Sequence, residues 1–94
     1  MEVEFVRAVN GTRMYLNLKI CPLNEEGGEA EFLYTINNAK YEGMALVMEG
    51  GQRLLVTERD TFIITDALKN GESVRVIVGM YDELFQPGNL SLLY

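Results

Sequence analysis

The stretch Ala8-Val9-Asn10-Gly11-Thr12-Arg13 decides how the first third of the chain folds. Asn-Gly is the residue pair that best tolerates the two positive φ angles of a type I′ turn, and segments of alternating polarity flank it on both sides. The stretch therefore predicts a β-hairpin with Asn10 and Gly11 as its two-residue loop. This register collects one largely apolar face, in the opposed pairs Val9–Thr12, Arg7–Met14, Phe5–Leu16 and Val3–Leu18.

Further β-rich segments follow this hairpin and are separated by residues typical of turns. The predicted strands cover residues 2–9, 12–21, 31–36, 41–49, 52–57, 61–65, 73–81 and 90–94. Residues 37–40 form a predicted turn, and residues 22–29 and 82–88 form predicted loops.

A second hairpin is expected where residues 41–49 and 52–57 flank Gly50-Gly51. Its expected pairs are Ala45–Val56, Leu46–Leu55 and Val47–Leu54. Both faces of this hairpin are largely apolar. That pattern predicts either the middle of a sandwich or a contact between subunits.

Residues 57–71 fit two structures. One is a helix that ends at Gly71, with an apolar stripe made of Phe62, Ile63, Ile64, Ala67 and Leu68. The other begins with a strand, because residues 61–65 are rich in β-branched and aromatic side chains. We expect the strand, followed by one helical turn at 66–71 with Thr65 or Asp66 as its cap and Gly71 as its end.

Seven or eight short strands joined by turns with Gly and Asn predict an all-β, mainly antiparallel fold. The expected architecture is a small sandwich or barrel with one short helical turn. With 94 residues and 48% hydrophobic content, residues 1–94 are expected to form a single domain. A domain of this size leaves apolar surface uncovered, so self-association into a homo-oligomer is also expected.

The composition argues against catalysis, because the chain has no histidine and one cysteine, Cys21. Histidine is the commonest general base and the commonest neutral metal ligand, and no spacing of the remaining nucleophiles and acids suggests a catalytic pair. We therefore expect a protein that is not an enzyme and has no metal and no cofactor.

Fourteen acidic and eight basic residues give a net charge of −6. This charge opposes binding to nucleic acid and to anionic membranes, so neither is an expected partner. The acidic N-terminal residues are unlike a signal peptide, and a lone cysteine is typical of a reducing compartment. The expected location is the cytoplasm.

The function that these features favour is that of a small acidic module that binds a protein with a basic surface. Small size, acidity and the lack of catalytic groups are typical of the inhibitors that bacteriophages make against host enzymes and defence systems, for which the location would be the host cytoplasm. The candidate partner-binding residues are exposed aromatic, aliphatic and acidic side chains, namely Leu84, Phe85, Tyr81, Tyr94, Glu25, Glu26 and Glu29.

Two alternatives remain open at this stage. A homo-oligomer would bind or sequester a small anionic ligand such as a nucleotide at a subunit interface, with Arg7, Arg53, Arg75 and Tyr15 as the ligand-binding residues. A structural virion or assembly subunit would use the aliphatic segment 90–94 to complete a neighbour's sheet.

Overall fold

The computed structural model describes residues 2–9, 11–18, 27–48 and 51–87. Within these ranges the elements are β1 Glu2–Ala8, β2 Gly11–Asn17, β3 Glu29–Ile36, β4 Ala39–Met48, β5 Arg53–Val56, α1 Glu58–Lys69, β6 Val74–Val78 and β7 Tyr81–Phe85. The predicted strand 90–94 and most of the predicted loop 22–29 lie outside the described residues, as do Asn10 and Cys21.

The seven described strands form one sheet in the order β1-β2-β5-β4-β3-β6-β7, with every neighbouring pair antiparallel. Helix α1 contacts both β2 and β6, which lie four positions apart in the sheet. The sheet therefore curls around the helix as a half-barrel. This confirms the all-β, mainly antiparallel prediction, and the single curled sheet is closer to the predicted barrel than to the sandwich.

The core lies between the concave face of the sheet and one face of α1. Alternate strand residues point inward, as expected for a strand with period two. The buried inward side chains include Met14, Leu16, Phe32, Tyr34, Val47, Leu54, Val74, Val76 and Val78, and the helix adds Ile64, Ala67 and Leu68. None of the described helices is long and apolar enough to cross a membrane.

The first hairpin has the predicted faces but a different register. Ala8 pairs with Gly11 and Phe5 with Met14, so every pair is shifted by two residues from the prediction. A two-residue shift leaves each side chain on its original face, and the alternation of polarity therefore cannot distinguish the two registers. Gly11 has a φ of +123°, a backbone conformation that favours glycine. This glycine is the first residue of β2, whereas the prediction placed it in the loop.

The turn and the hairpin predicted at the centre of the chain are confirmed. Asn37 and Asn38 connect β3 to β4 with φ angles of +50° and +66°, the signs that a type I′ turn requires. Strands β4 and β5 pair as predicted, from Ala45 opposite Val56 to Val47 opposite Leu54. These two strands lie in the middle of the sheet.

The predicted strand 61–65 is wrong, because residues 58–69 form one continuous helix. Thr57, not Thr65 or Asp66, is the N-cap, and its hydroxyl accepts a hydrogen bond from the Asp60 amide at 3.4 Å. The buried helical residues recur at spacings of three and four, in the set Asp60, Thr61, Ile64, Thr65, Ala67 and Leu68. Burial of this face outweighs the β propensity of residues 61–65.

The predicted strand 73–81 and the predicted loop 82–88 are also corrected. Strand β6 ends at Val78, a turn at Gly79 and Met80 follows, and Tyr81 pairs with Val78 as the first residue of β7. Gly79 has a φ of +56°, which the first position of a tight hairpin turn requires. The polar residues that suggested a loop are tolerated because β7 is an edge strand, where Asp82 faces outward and pairs with Arg75.

One buried carboxylate joins the helix to the sheet. Asp60, only 4% exposed, accepts hydrogen bonds from the Tyr34 hydroxyl at 2.7 Å, the Met44 amide at 3.1 Å and the Thr57 hydroxyl at 2.7 Å. Burial raises the pKa of Asp60, but these hydrogen bonds and the charge of Arg59 outweigh burial and hold the pKa below its ordinary value. Burial, together with Asp60, raises the pKa of Tyr34, which stays protonated as the donor.

We expect Asp60→Asn to lower the free energy of unfolding by about 2–3 kcal/mol at pH 7, because an amide satisfies the three donors less well than a carboxylate. The lowered pKa means that the charged group stabilises the fold above about pH 4 and loses this contribution as the pH falls below that value. Urea denaturation at pH 7 and at pH 3.5 should therefore show a smaller acid-induced loss for the variant than for the wild type.

Asp66→Asn is the matched control, because Asp66 is an exposed carboxylate on the same helix. Its expected effect at pH 7 is within about 0.5 kcal/mol of zero. Equal stabilities of the Asp60 and Asp66 variants would contradict the role given to Asp60.

Gly43 provides the space for an aromatic ring in the core. It lies opposite Phe32 in the β3–β4 pair, and a Cβ at this position would stand 2.5 Å from the Phe32 ring. The ring of Phe32 stacks on Tyr34 with centroids 5.6 Å apart, and Tyr34 stacks on Tyr41 at 5.0 Å. The glycine therefore allows this row of rings to lie flat against the sheet.

Gly43→Ala is expected to lower the free energy of unfolding by about 2 kcal/mol, because the packed ring has to shift. Combining it with Phe32→Leu should produce a loss smaller than the sum of the two single losses. A double-mutant cycle measured by urea denaturation checks the coupling. Additive losses would show that the ring is not the obstacle.

Candidate functional site

A short strand pairing opens a cleft at one end of the molecule. Strands β2 and β5 pair only from Tyr15 to Asn17, because β5 ends at Val56 and the chain enters α1. The tip of the β1–β2 hairpin therefore extends beyond β5 and stands beside the start of the helix. Two adjoining cavities lie there, and Thr12, Arg13, Glu58 and Thr61 line both of them.

The first cavity, which we call the recess, is mainly apolar and has a volume of about 540 Å³. Its apolar walls are Met44, Ala45, Leu46, Leu55 and Val56. The exposed charged residues Arg13, Glu29 and Glu58 also line it. A cavity with these walls is suited to a large apolar side chain rather than to a hydrated ion.

Beside the recess, the outer face of the β3–β4 hairpin combines acidic and apolar residues. Three directly opposite pairs each join one glutamate to one apolar residue, in the set Glu29–Leu46, Glu31–Met44 and Leu33–Glu42. We call these six residues the central outer face. Leu33 is 50% exposed and Leu46 is 42% exposed, although both lie on central strands. Within the described ranges, the three exposed glutamates have no ion pair that would neutralise them.

The second cavity, which we call the groove, runs between the tip of the β1–β2 hairpin and α1 and has a volume of about 790 Å³. It gathers three basic residues, Arg7, Arg13 and Lys69. Two exposed apolar side chains, Val9 and Phe62, also line it. The groove is therefore a basic site on an acidic protein.

The predicted partner-binding residues do not form one patch. Phe85 is only 5% exposed and packs in the core, so it is not the surface anchor predicted from the sequence. Its inward position follows from its pairing with buried Val74.

Leu84 is exposed on the outer face of β7, and Tyr81 is half-buried against the core. Glu29 belongs to the central outer face, whereas Glu25, Glu26 and Tyr94 lie outside the described residues.

The four residues predicted for an anionic ligand are also spread within one chain. The Arg53 guanidinium lies over the Tyr15 ring at 3.9 Å from the centroid and forms an ion pair with Glu4 at 3.0 Å. Arg75 donates two hydrogen bonds of 2.7 Å to Asp82, and these hold the pKa of Asp82 below its ordinary value. Of the four, Arg7 alone lines the groove.

Sequence reasoning missed Glu31 and Glu42 on the central outer face and Arg13, Phe62 and Lys69 in the groove. The outward position of Glu31 follows from the alternation of β3, so the sequence carried that signal. The groove residues come from two distant segments, and only the packing of the hairpin beside the helix brings them together. No cluster of three or more Asp, Glu, Cys or His in the described ranges is arranged to hold a metal ion.

Comparison with known proteins identifies no relative, since neither a family model nor a curated protein nor a solved structure matches this chain. The candidate function therefore depends on the chemistry of the recess, the central outer face and the groove.

Proposed function

We propose that the protein is a non-enzymatic module that binds a partner protein through the central outer face and the recess. The partner would present a large apolar side chain flanked by lysine or arginine residues. The observation that supports this most strongly is the row of three acid–apolar pairs directly beside an apolar recess.

The apolar side chains would supply most of the binding free energy. Leu33 and Leu46 are about half exposed, and covering apolar surface is worth about 25 cal/mol per Å². A partner side chain that fills the recess would act as the buried anchor that dominates many interfaces. Leu84, on the same outer face two strands from β3, would extend the contact at its edge.

The glutamates would determine which partners bind. Three carboxylates without ion pairs among the described residues create a negative potential that attracts cations and raises association rates. A basic partner surface gains from this potential, whereas an acidic one is repelled. The net charge of −6 acts in the same direction over longer distances.

A second copy of the chain is a less favourable occupant of this face. A two-fold symmetric contact would set the same glutamates against each other. Self-association through another surface stays a prediction.

As an inhibitor, the protein would cover a basic functional surface of an enzyme or defence protein. This part of the proposal is based on the small size and the net charge of the chain. The proposed location is the cytoplasm, which would be that of the host cell if a bacteriophage encodes the chain. Competition for a basic surface needs no catalytic group, which suits a chain without histidine.

An array of nine-residue peptides tests the proposed chemistry without knowledge of the partner. Each peptide would carry a central Leu, Met or Phe flanked by Lys and Arg, by Ser, or by Glu. We expect the protein to bind the basic set preferentially, and to bind it more weakly at higher salt. Glu31→Lys should weaken binding to the basic set about tenfold, and Leu46→Ser should weaken binding to peptides with the large central residue.

Two variants outside the proposed surface serve as controls. Asp66→Lys makes the same change of charge as Glu31→Lys on the exposed side of α1, and Met80→Ser removes an exposed apolar side chain in the β6–β7 turn. Both should bind the basic peptides as the wild type does. Equal binding to the basic and acidic sets, or equal losses in the test and control variants, would contradict the proposal.

A further inference from the structure

We propose that the groove is a separate binding site for a small organic phosphate that carries a flat ring, the class to which mononucleotides belong. The phosphate would lie between Arg7 and Lys69, and the ring would pack against Phe62. This site differs from the proposed protein-binding site, because Arg7, Phe62 and Lys69 line the groove and do not line the recess.

The charge distribution is the first argument. The chain has six more acidic than basic residues, yet three of its eight basic residues line this one groove. The Lys69 ammonium group has no hydrogen bond or ion pair with another residue in the described part of the chain. Arg7 lies opposite Thr12, on the face of the hairpin that carries the buried Met14. Arg7 and Lys69 therefore line the same space from the hairpin and from the helix, which favours an anion as the occupant.

The second argument is the face that α1 presents to the groove. Glu58, Phe62, Thr65 and Lys69 recur at spacings of four, three and four, so they form one stripe along the helix. The stripe is about 16 Å long at 1.5 Å per residue. Phe62 is 70% exposed in the middle of this stripe, where its ring is available for stacking.

The hydroxyl groups of the groove add acceptors for a polar ligand. The Thr65 hydroxyl donates its hydrogen to the Thr61 and Phe62 carbonyl oxygens at 2.8 and 3.2 Å. Its oxygen therefore retains acceptor capacity, which suits a donor such as a ribose hydroxyl rather than a phosphate oxygen. Thr12 and Thr61 line the same space.

The ligand is expected to be small rather than a nucleic acid strand. A long polyanion would be repelled by the net charge of −6 on the whole chain, at a cost that grows with each added phosphate. A compact phosphate ester interacts mainly with the local cations. Glu58 at the other end of the helical stripe would repel a second anionic group, which favours one phosphate and an uncharged ring.

Titration of the folded protein with three probes tests the inference. The chemical shifts of the backbone amides, measured by NMR, report where each probe binds. The probes are adenosine 5′-monophosphate, ribose 5-phosphate and inorganic phosphate. We expect the nucleotide to bind most tightly and to shift amides of residues 7–9, 11–13 and 58–69. Arg7→Gln and Lys69→Gln should each weaken nucleotide binding about fivefold to tenfold.

Phe62→Ser isolates the contribution of the ring. It should reduce nucleotide affinity to that of ribose 5-phosphate while leaving inorganic phosphate binding unchanged. Lys40→Gln is the charge-matched control, because Lys40 is an exposed residue at the start of β4 and does not line the groove. The thermal unfolding midpoint of each variant distinguishes lost binding from lost folding.

Three results would overturn the inference. The first is the absence of shifts at residues 7–9, 11–13 and 58–69 with up to about 10 mM nucleotide. The second is equal weakening of nucleotide binding by Lys40→Gln and Lys69→Gln. The third is equal affinity for a glutamate-rich peptide lacking phosphate. Glu31→Lys distinguishes this site from the protein-binding face. It should leave nucleotide affinity unchanged even if it abolishes binding to basic peptides.

Discussion

The fold depends on one buried carboxylate. Asp60 sits in the first turn of α1 and accepts hydrogen bonds from Tyr34 on β3, from the backbone of Met44 on β4 and from the Thr57 cap. A buried charge is costly unless its hydrogen bonds are complete, so the helix can approach the sheet in this way only with all three donors in place. The same contact orients the Tyr34 ring within its stack and fixes the start of the helix at the end of β5.

This anchor also explains why clefts occur at one end of the molecule. The helix begins immediately after β5, so the chain leaves the sheet before β5 can pair with the distal half of β2. The hairpin tip is left beside the helix, and the recess and groove occupy the space between them. The two cavities are thus consequences of a chain reversal that the Asp60 contacts hold in place.

Acidic and basic side chains are concentrated on two different surfaces, the central outer face and the groove. The central outer face carries glutamates between apolar residues, while the groove collects arginines and a lysine on a chain that is acidic overall. Arg13 and Glu58 lie where the cavities meet, so occupation of one cavity would change the potential in the other. A protein with this arrangement has the chemistry to bind a basic protein and a small anion at different sites.

The sequence by itself determined the strand faces, the all-β class and the central hairpins, because these depend on local alternation and on turn residues such as Asn37 and Asn38. Local pattern also predicted the apolar side of the first hairpin, but not its register, since a two-residue shift preserves both faces. The helix was missed because residues 61–65 favour a strand locally, whereas the buried contacts of Asp60 and Leu68 are made with distant residues.

Only the tertiary structure decided the candidate sites. Phe85 looks like a surface residue beside its polar neighbours, yet its pairing with Val74 turns it into the core. Lys69 and Arg7 are more than fifty positions apart in the chain and line one groove only because the hairpin tip stands beside the helix. Side-chain alternation is a local property that a sequence displays, whereas a binding site depends on long-range packing that juxtaposes segments without any local signal.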